Sequence, residues 1–130
     1  MKKLIVLMVL VSFPTFAQFR TLDWNKDKWN SPKGHFLRYD KIEHCIGSAG
    51  LTISLTTLDE KNGWKYTLLA GFLWEVKDGF MPFEKYGHWG GEGFSTKDLI
   101  ADVIGVAIGY GIFKGGKWLL RIIKGGDYSG

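Results

Sequence analysis

Three short runs of this 130-residue chain carry the side chains best suited to chemistry: Asp40-Lys41-Ile42-Glu43-His44, Glu75-Val76-Lys77-Asp78 and Asp98-Leu99-Ile100-Ala101-Asp102. One imidazole among several carboxylates is a donor set for a divalent cation, and it suits zinc, manganese or iron better than calcium. His44, Glu75, Asp78 and Asp102 are the expected ligands, with Asp40 and Asp98 in reserve. A metal there with an open coordination position could activate water for hydrolysis. The competing reading needs no metal. Lys41 and the positive ends of two helices neutralise the acids, so that Asp40, Lys41, His44, Glu75, Asp78, Asp98 and Asp102 form a structural polar cap.

Either reading requires elements that bring the three runs together. From Asp40 to Leu58 the residues Ile42, Ile46, Leu51, Leu55 and Leu58 recur at mostly helical spacing, and Asp59 to Gly63 stops the run. A second helix runs from Trp64 to about Gly79, with Pro82 shortly after its end. Ser95 followed by Asp98 makes an N-cap with an acidic third position, and a third helix continues to about Phe113. The short connection between the first two makes them antiparallel neighbours, and a returning third helix completes an all-α, up-down-up three-helix bundle over residues 40–113.

In that topology all three acidic runs meet at one end. At about 100° per residue, Asp40 and His44 share a face with Gly47, Ser48 and Leu51, while Asp98 and Asp102 share one with Gly105 and Gly109. Glu75 and Asp78 share theirs with Leu68 and Gly71. These are faces expected to pack inward, and Gly105-Val106-Ala107-Ile108-Gly109 is a GxxxG packing device.

The remaining segments frame this unit. Residues 18–39 read as an irregular arm, and Phe80 to Phe94 as a long loop rich in glycine and aromatics. His35 and His88 fall in loops as exposed polar residues, and His88 with Glu92 is the pair best able to cover the cluster. Residues 114–130 form a basic, short C-terminal amphipathic helix. It either covers the core or lays Lys117, Trp118, Arg121 and Lys124 on an anionic membrane surface. Cys45 is the single cysteine, so no internal disulfide forms, and it sits about 100° from His44 on a helix, so the two make no dyad.

Lys2 and Lys3, the apolar run Leu4 to Val11 and the small-residue site ending at Ala17 match a secretory signal peptide over residues 1–17. Without those two lysines the net charge of +4 falls to +2, which gives no reason to expect nucleic acid. Export to the periplasm or cell envelope follows. Trp64, Trp74, Trp89 and Trp118 lie near helix ends and loops, where an interfacial belt would place them. Because Ser48, Thr52, Ser54, Thr56 and Thr57 suit a protein interior, a compact protein touching the membrane is favoured over an integral scaffold. The glycine-rich faces are consistent with a homo-oligomer and equally with a monomer. No P-loop, Rossmann glycine pattern or nucleophile elbow is present, so a non-enzymatic envelope protein stands first and a metal-dependent hydrolase acting on an envelope substrate second.

The ordered set D-K-x-x-H at 40–44, E-x-x-D at 75–78 and S-x-x-D-x-x-x-D-x-x-G at 95–105 resembles the YfiM-type periplasmic lipoproteins of bacteria and, more distantly, VanZ-like membrane proteins. The resemblance covers roughly residues 40–112. It implies a shared helical fold and an envelope location, and no established activity. Cys45 lies inside the first helix, so anchoring through a lipobox cysteine near the cleavage site is not expected.

Overall fold

The computed structural model describes residues 18–125. The expected signal peptide and the last five residues of the C-terminal segment lie outside them. Along the chain come α1 (Asp40–Leu58), α2 (Gly63–Phe80), the single turn α3 (Phe83–Tyr86), a 3₁₀ turn at Gly87–Trp89, and α4 (Thr96–Ile123). Among the described residues there is no strand, only two isolated bridges, Thr21 with Phe94 and Pro82 with Gly91. The chain is an all-α helical bundle in which α1, α2 and α4 each touch the other two.

Local chemistry explains most boundaries. Asp40 and Glu43 in the first turn of α1 meet the positive end of the helix. Asp59 Oδ1 accepts from the amides of Lys61 and Asn62 and shapes the turn into α2. Pro82 follows the end of α2, and Ser95 Oγ accepts from the Asp98 amide at 3.0 Å as the N-cap of α4.

α4 does not stop near Phe113. It runs unbroken to Ile123, so the C-terminal segment is no separate helix up to that point. Gly115 and Gly116 each cost about 1 kcal/mol relative to alanine, which a long helix of otherwise good formers absorbs. Lys114 and Lys117 each lie 2.5 Å from a carboxylate oxygen of Glu60 and tie this part of α4 to the α1–α2 turn. Their hydrogen bonds, that of Lys114 foremost, hold the Glu60 carboxyl down at about 2.

Burial is inverted with respect to a water-soluble bundle. The largest fully buried side chains are Glu75, Thr52, Thr56, Thr67 and Ser95, and the buried apolar ones are Ala101 and Val106. Facing outward are Ile42, Ile46 and Leu51 of α1, Leu69, Phe72 and Leu73 of α2, and Val103, Ile104, Ile108 and Ile112 of α4. The apolar residues whose spacing marks the helices are therefore largely the outer surface, and the small and polar residues between them are the seam.

Close approach at that seam depends on the two glycines of the GxxxG run. A Cβ on Gly105 would strike the Cys45 carbonyl oxygen, and one on Gly109 would strike that of Ala49. A Cβ on Gly115, in contrast, would meet no atom of a neighbouring element within 4 Å. Gly105→Val and Gly109→Val are each expected to cost about 1–3 kcal/mol by forcing α1 and α4 apart. Gly115→Ala is expected to be neutral or to stabilise by up to about 1 kcal/mol, with thermal unfolding followed by circular dichroism as the measurement.

Candidate functional site

At the end of the bundle where α1 and α4 begin and α2 finishes, His44 stands inside a ring of carboxylates. Its Nδ1 lies 3.1 Å from Asp102 Oδ1, which also accepts from Ser48 Oγ at 2.6 Å. An ionised carboxylate only accepts, so Nδ1 carries the donated proton, and in the neutral form of the ring the lone pair is at Nε2. Around Nε2 stand Glu75 Oε1 at 3.5 Å, Asp98 Oδ2 at 3.6 Å and Asp40 Oδ1 at 3.7 Å. Each of the three long helices thus contributes at least one acid. Asp40, His44 and Asp98 offer ligand-type atoms that all lie within 4.8 Å of one another.

Lys41 is the compensating cation. Its Nζ sits 2.5 Å from Asp98 Oδ1, 2.6 Å from Asp27 Oδ1 and 2.9 Å from Asp40 Oδ2, which turns the other oxygens of Asp40 and Asp98 toward His44. Asp27, on the arm, also accepts from Ser95 Oγ at 2.5 Å, and the Ser95 amide donates to Glu75 Oε2 at 2.8 Å. The Lys97 ammonium donates to the carbonyls of Trp24 and Asp27 and lies over the Trp24 ring. Five buried or nearly buried carboxylates, those of Asp27, Asp40, Glu75, Asp98 and Asp102, therefore share the interior with two ammonium groups and one imidazole. Glu75 is 0% exposed, and its Oε1 has no hydrogen-bond partner among the described residues.

The structure gathers the expected polar residues at one end but divides their roles. Asp40 and Asp98, expected in reserve, flank Nε2, while Asp102 serves the opposite ring nitrogen. Asp78 pairs with Lys77 at 2.5 Å and lies against Gly91. His35 is a correction. Its side chain is only 6% exposed, with Nε2 at 2.9 Å from the Gly90 carbonyl and its ring against Trp74, Phe83 and His88. Aromatic neighbours from the arm, α2 and the 83–89 segment bury it, which its loop position did not reveal. His88 is exposed as expected but stacks on His35 and Phe36, while Glu92 pairs with Lys33, so the two do not act together over the cluster.

Asp27 and Lys97 are the members that the spacing of motifs missed. Asp27 lies in a segment with no periodicity, and Lys97 reads as a solvated residue in a first turn. Glu43 ties the same arm to α1, because its carboxylate accepts from the amides of His35, Phe36 and Leu37 at 2.7–3.0 Å.

A cavity of about 280 Å³ opens between α1 and α2 and reaches this site. Phe36, Leu51 and Trp74 give it apolar walls, and His44, Ser48 and Asp102 give it a polar floor. Gly71 leaves the space that the Asp102 carboxylate occupies, since a Cβ there would lie 2.5 Å from Oδ2.

Comparison with protein-family models, with curated proteins and with solved structures finds no match for the chain.

Removing the compensating cation is the sharpest local perturbation. Lys41→Met leaves Asp27, Asp40 and Asp98 buried without their shared partner and is expected to cost about 3–5 kcal/mol. The exposed Lys61→Met is expected to change stability by less than about 0.5 kcal/mol in the same unfolding measurement.

Proposed function

We propose that the chain is an exported, integral membrane protein of the cell envelope whose His44 and carboxylate cluster is its working centre, presented to amphiphilic molecules through the α1–α2 cavity. The inverted burial carries this reading. In water, outward-facing isoleucines, leucines and phenylalanines on all three long helices would be an aggregation hazard, whereas in lipid they are the favoured surface. Protein partners usually cover one patch, but here the apolar residues lie around the whole bundle, which suits a fluid apolar solvent.

Lengths agree with that solvent. At about 1.5 Å per residue, α1 and α2 measure about 27–28 Å, and the stretch from Val103 to Ile122 about 30 Å, close to the hydrocarbon thickness of a bilayer. Among the described residues α4 is the one helix that is long and apolar enough to cross a membrane by composition alone. α1 and α2 join it in this reading because their Ser and Thr residues turn inward, as Ser48, Thr52, Thr56 and Thr67 do. The pairings of Gly105 with Cys45 and of Gly109 with Ala49 support an up-down-up arrangement, with α1 and α4 parallel and α2 reversed between them.

Export rests on the charged start, apolar run and Ala17 site of residues 1–17. The D-K-x-x-H, E-x-x-D and S-x-x-D-x-x-x-D set supports membership of a YfiM-type or VanZ-like group. A metal-dependent hydrolase acting on an envelope substrate is the second reading, favoured by the clustering of Asp40, His44 and Asp98.

Carbonate extraction of membranes from cells expressing the full chain tests the lipid reading. The protein is expected to remain in the membrane pellet and to need detergent for release. Recovery of folded protein in the carbonate supernatant contradicts it.

A further inference from the structure

We infer that His44 Nε2, Asp40 and Asp98, whose ligand atoms lie within 4.8 Å of one another, bind one divalent cation of the zinc type, that Glu75, unpartnered beside Nε2, closes on it as the fourth ligand, and that Asp102 positions the imidazole while Lys41 offsets part of the carboxylate charge. This deepens the hydrolase reading by naming its metal and ligands, and it does not depend on what covers the outer helix faces.

In the neutral ring the Nε2 lone pair would face three carboxylate oxygens, acceptors against an acceptor. Something positive must lie between them. A proton on Nε2 is the simplest candidate, but its hydrogen bonds would need donor–acceptor distances of about 2.7–3.2 Å. The observed separations are 3.5, 3.6 and 3.7 Å, so a protonated ring would be left with ion pairs and no short hydrogen bond at Nε2. Around Nε2 they are close to the separation of neighbouring donors on one zinc ion, since zinc bonds of about 2.0–2.2 Å place such donors roughly 3.3–3.6 Å apart, and the Asp40 and Asp98 oxygens lie within 4.8 Å of each other.

The second, independent sign is Glu75. Burying a carboxylate oxygen without a partner is costly, yet Oε1 of this fully buried side chain has no hydrogen bond and is aimed at Nε2, while its Oε2 is held by the Ser95 amide. Asp40 and Asp98 are oriented from behind in the same way, because Lys41 holds one oxygen of each and leaves the other facing the imidazole.

The ring is prepared for a metal as well. A metal-bound histidine usually donates its other N–H to a carboxylate, which fixes tautomer and orientation, and Asp102, itself held by Ser48, occupies that place. Charge is consistent too, because a divalent ion reduces the excess of five carboxylates over two ammonium groups. Asp78, engaged with Lys77, lies outside this ligand set.

The full chain, extracted in mild detergent, purified without an affinity tag and stripped with chelator, is titrated with Zn²⁺ by calorimetry and with Co²⁺ by visible absorption. One equivalent of Zn²⁺ per chain and a tetrahedral d–d spectrum with Co²⁺ are expected. Asp102→Asn is expected to weaken Zn²⁺ binding about 10- to 100-fold. Glu75→Gln and Asp98→Asn are expected to weaken it further, and Asp78→Asn to leave it unchanged, with circular dichroism confirming that each variant is folded. Absence of Zn²⁺ uptake by the folded wild-type chain overturns the inference, and that arm needs no variant to fold. Equal binding by wild type and Glu75→Gln, or equal loss in Asp78→Asn, overturns it as well. Because the readout is metal uptake, a bound metal without hydrolysis separates failure of the enzyme reading from failure of this one.

Discussion

The Lys41 ammonium is the contact on which the rest of the structure depends. It joins the irregular arm through Asp27, its own helix through Asp40 and α4 through Asp98, all within 2.9 Å. Taking a lysine and three acids out of water is unfavourable in itself, so such a group persists only where the surrounding geometry supplies every partner. Ser95 extends the set by capping α4 while donating to Asp27 and Glu75. The consequence for His44 is direct: with their outer oxygens occupied, Asp40 and Asp98 present the inner ones to Nε2.

The same economy explains the inverted burial. Helices that must bring acids, a lysine and a histidine together at one end need a seam of small and hydroxyl-bearing residues below it, and Ser48, Thr52, Thr56, Thr67, Gly105 and Gly109 form that seam. Once the interior is assigned to them, the bulky apolar residues have nowhere to go but outward. The proposed lipid environment would make that arrangement favourable, because outward Ile, Leu and Phe would then need no burial inside the protein.

How far this was legible in the sequence differs from element to element. The bounds of α1 and the N-cap at Ser95 followed from periodicity and turn chemistry, and so did the meeting of the D-K-x-x-H, E-x-x-D and D-x-x-x-D runs at one end. The angular reading placed Ser48, Gly105 and Gly109 inward with the acids as found, but Gly47 and Leu51, expected on the same inward face of α1, are exposed. It could not reveal that the apolar periodicity marks the outside, because a period of 3.6 reports an amphipathic face without saying which solvent that face meets. Asp27 and Lys97 were invisible for another reason: the contacts that join Asp27 to Ser95 and to Lys97 span about 70 residues, Asp27 lies in a segment without periodicity, and Lys97 sits in the first turn of α4. The continuation of α4 through Gly115 and Gly116 was hidden by glycines that usually mark a helix end but here only weaken one.

The central claim, that polar residues line the inside of the bundle and apolar ones face lipid, is tested most directly by spin-label accessibility in liposomes. Single cysteines are placed on a Cys45→Ser background at Ile46, Leu73 and Ile108 for the outer surface and at Thr52 and Thr67 for the seam. The account predicts that labels at the three outer positions collide freely with membrane-dissolved oxygen and little with a water-soluble nickel reagent, while labels at Thr52 and Thr67 are shielded from both. Free access of the nickel reagent to Ile46, Leu73 and Ile108, with no excess of oxygen collisions, would contradict it.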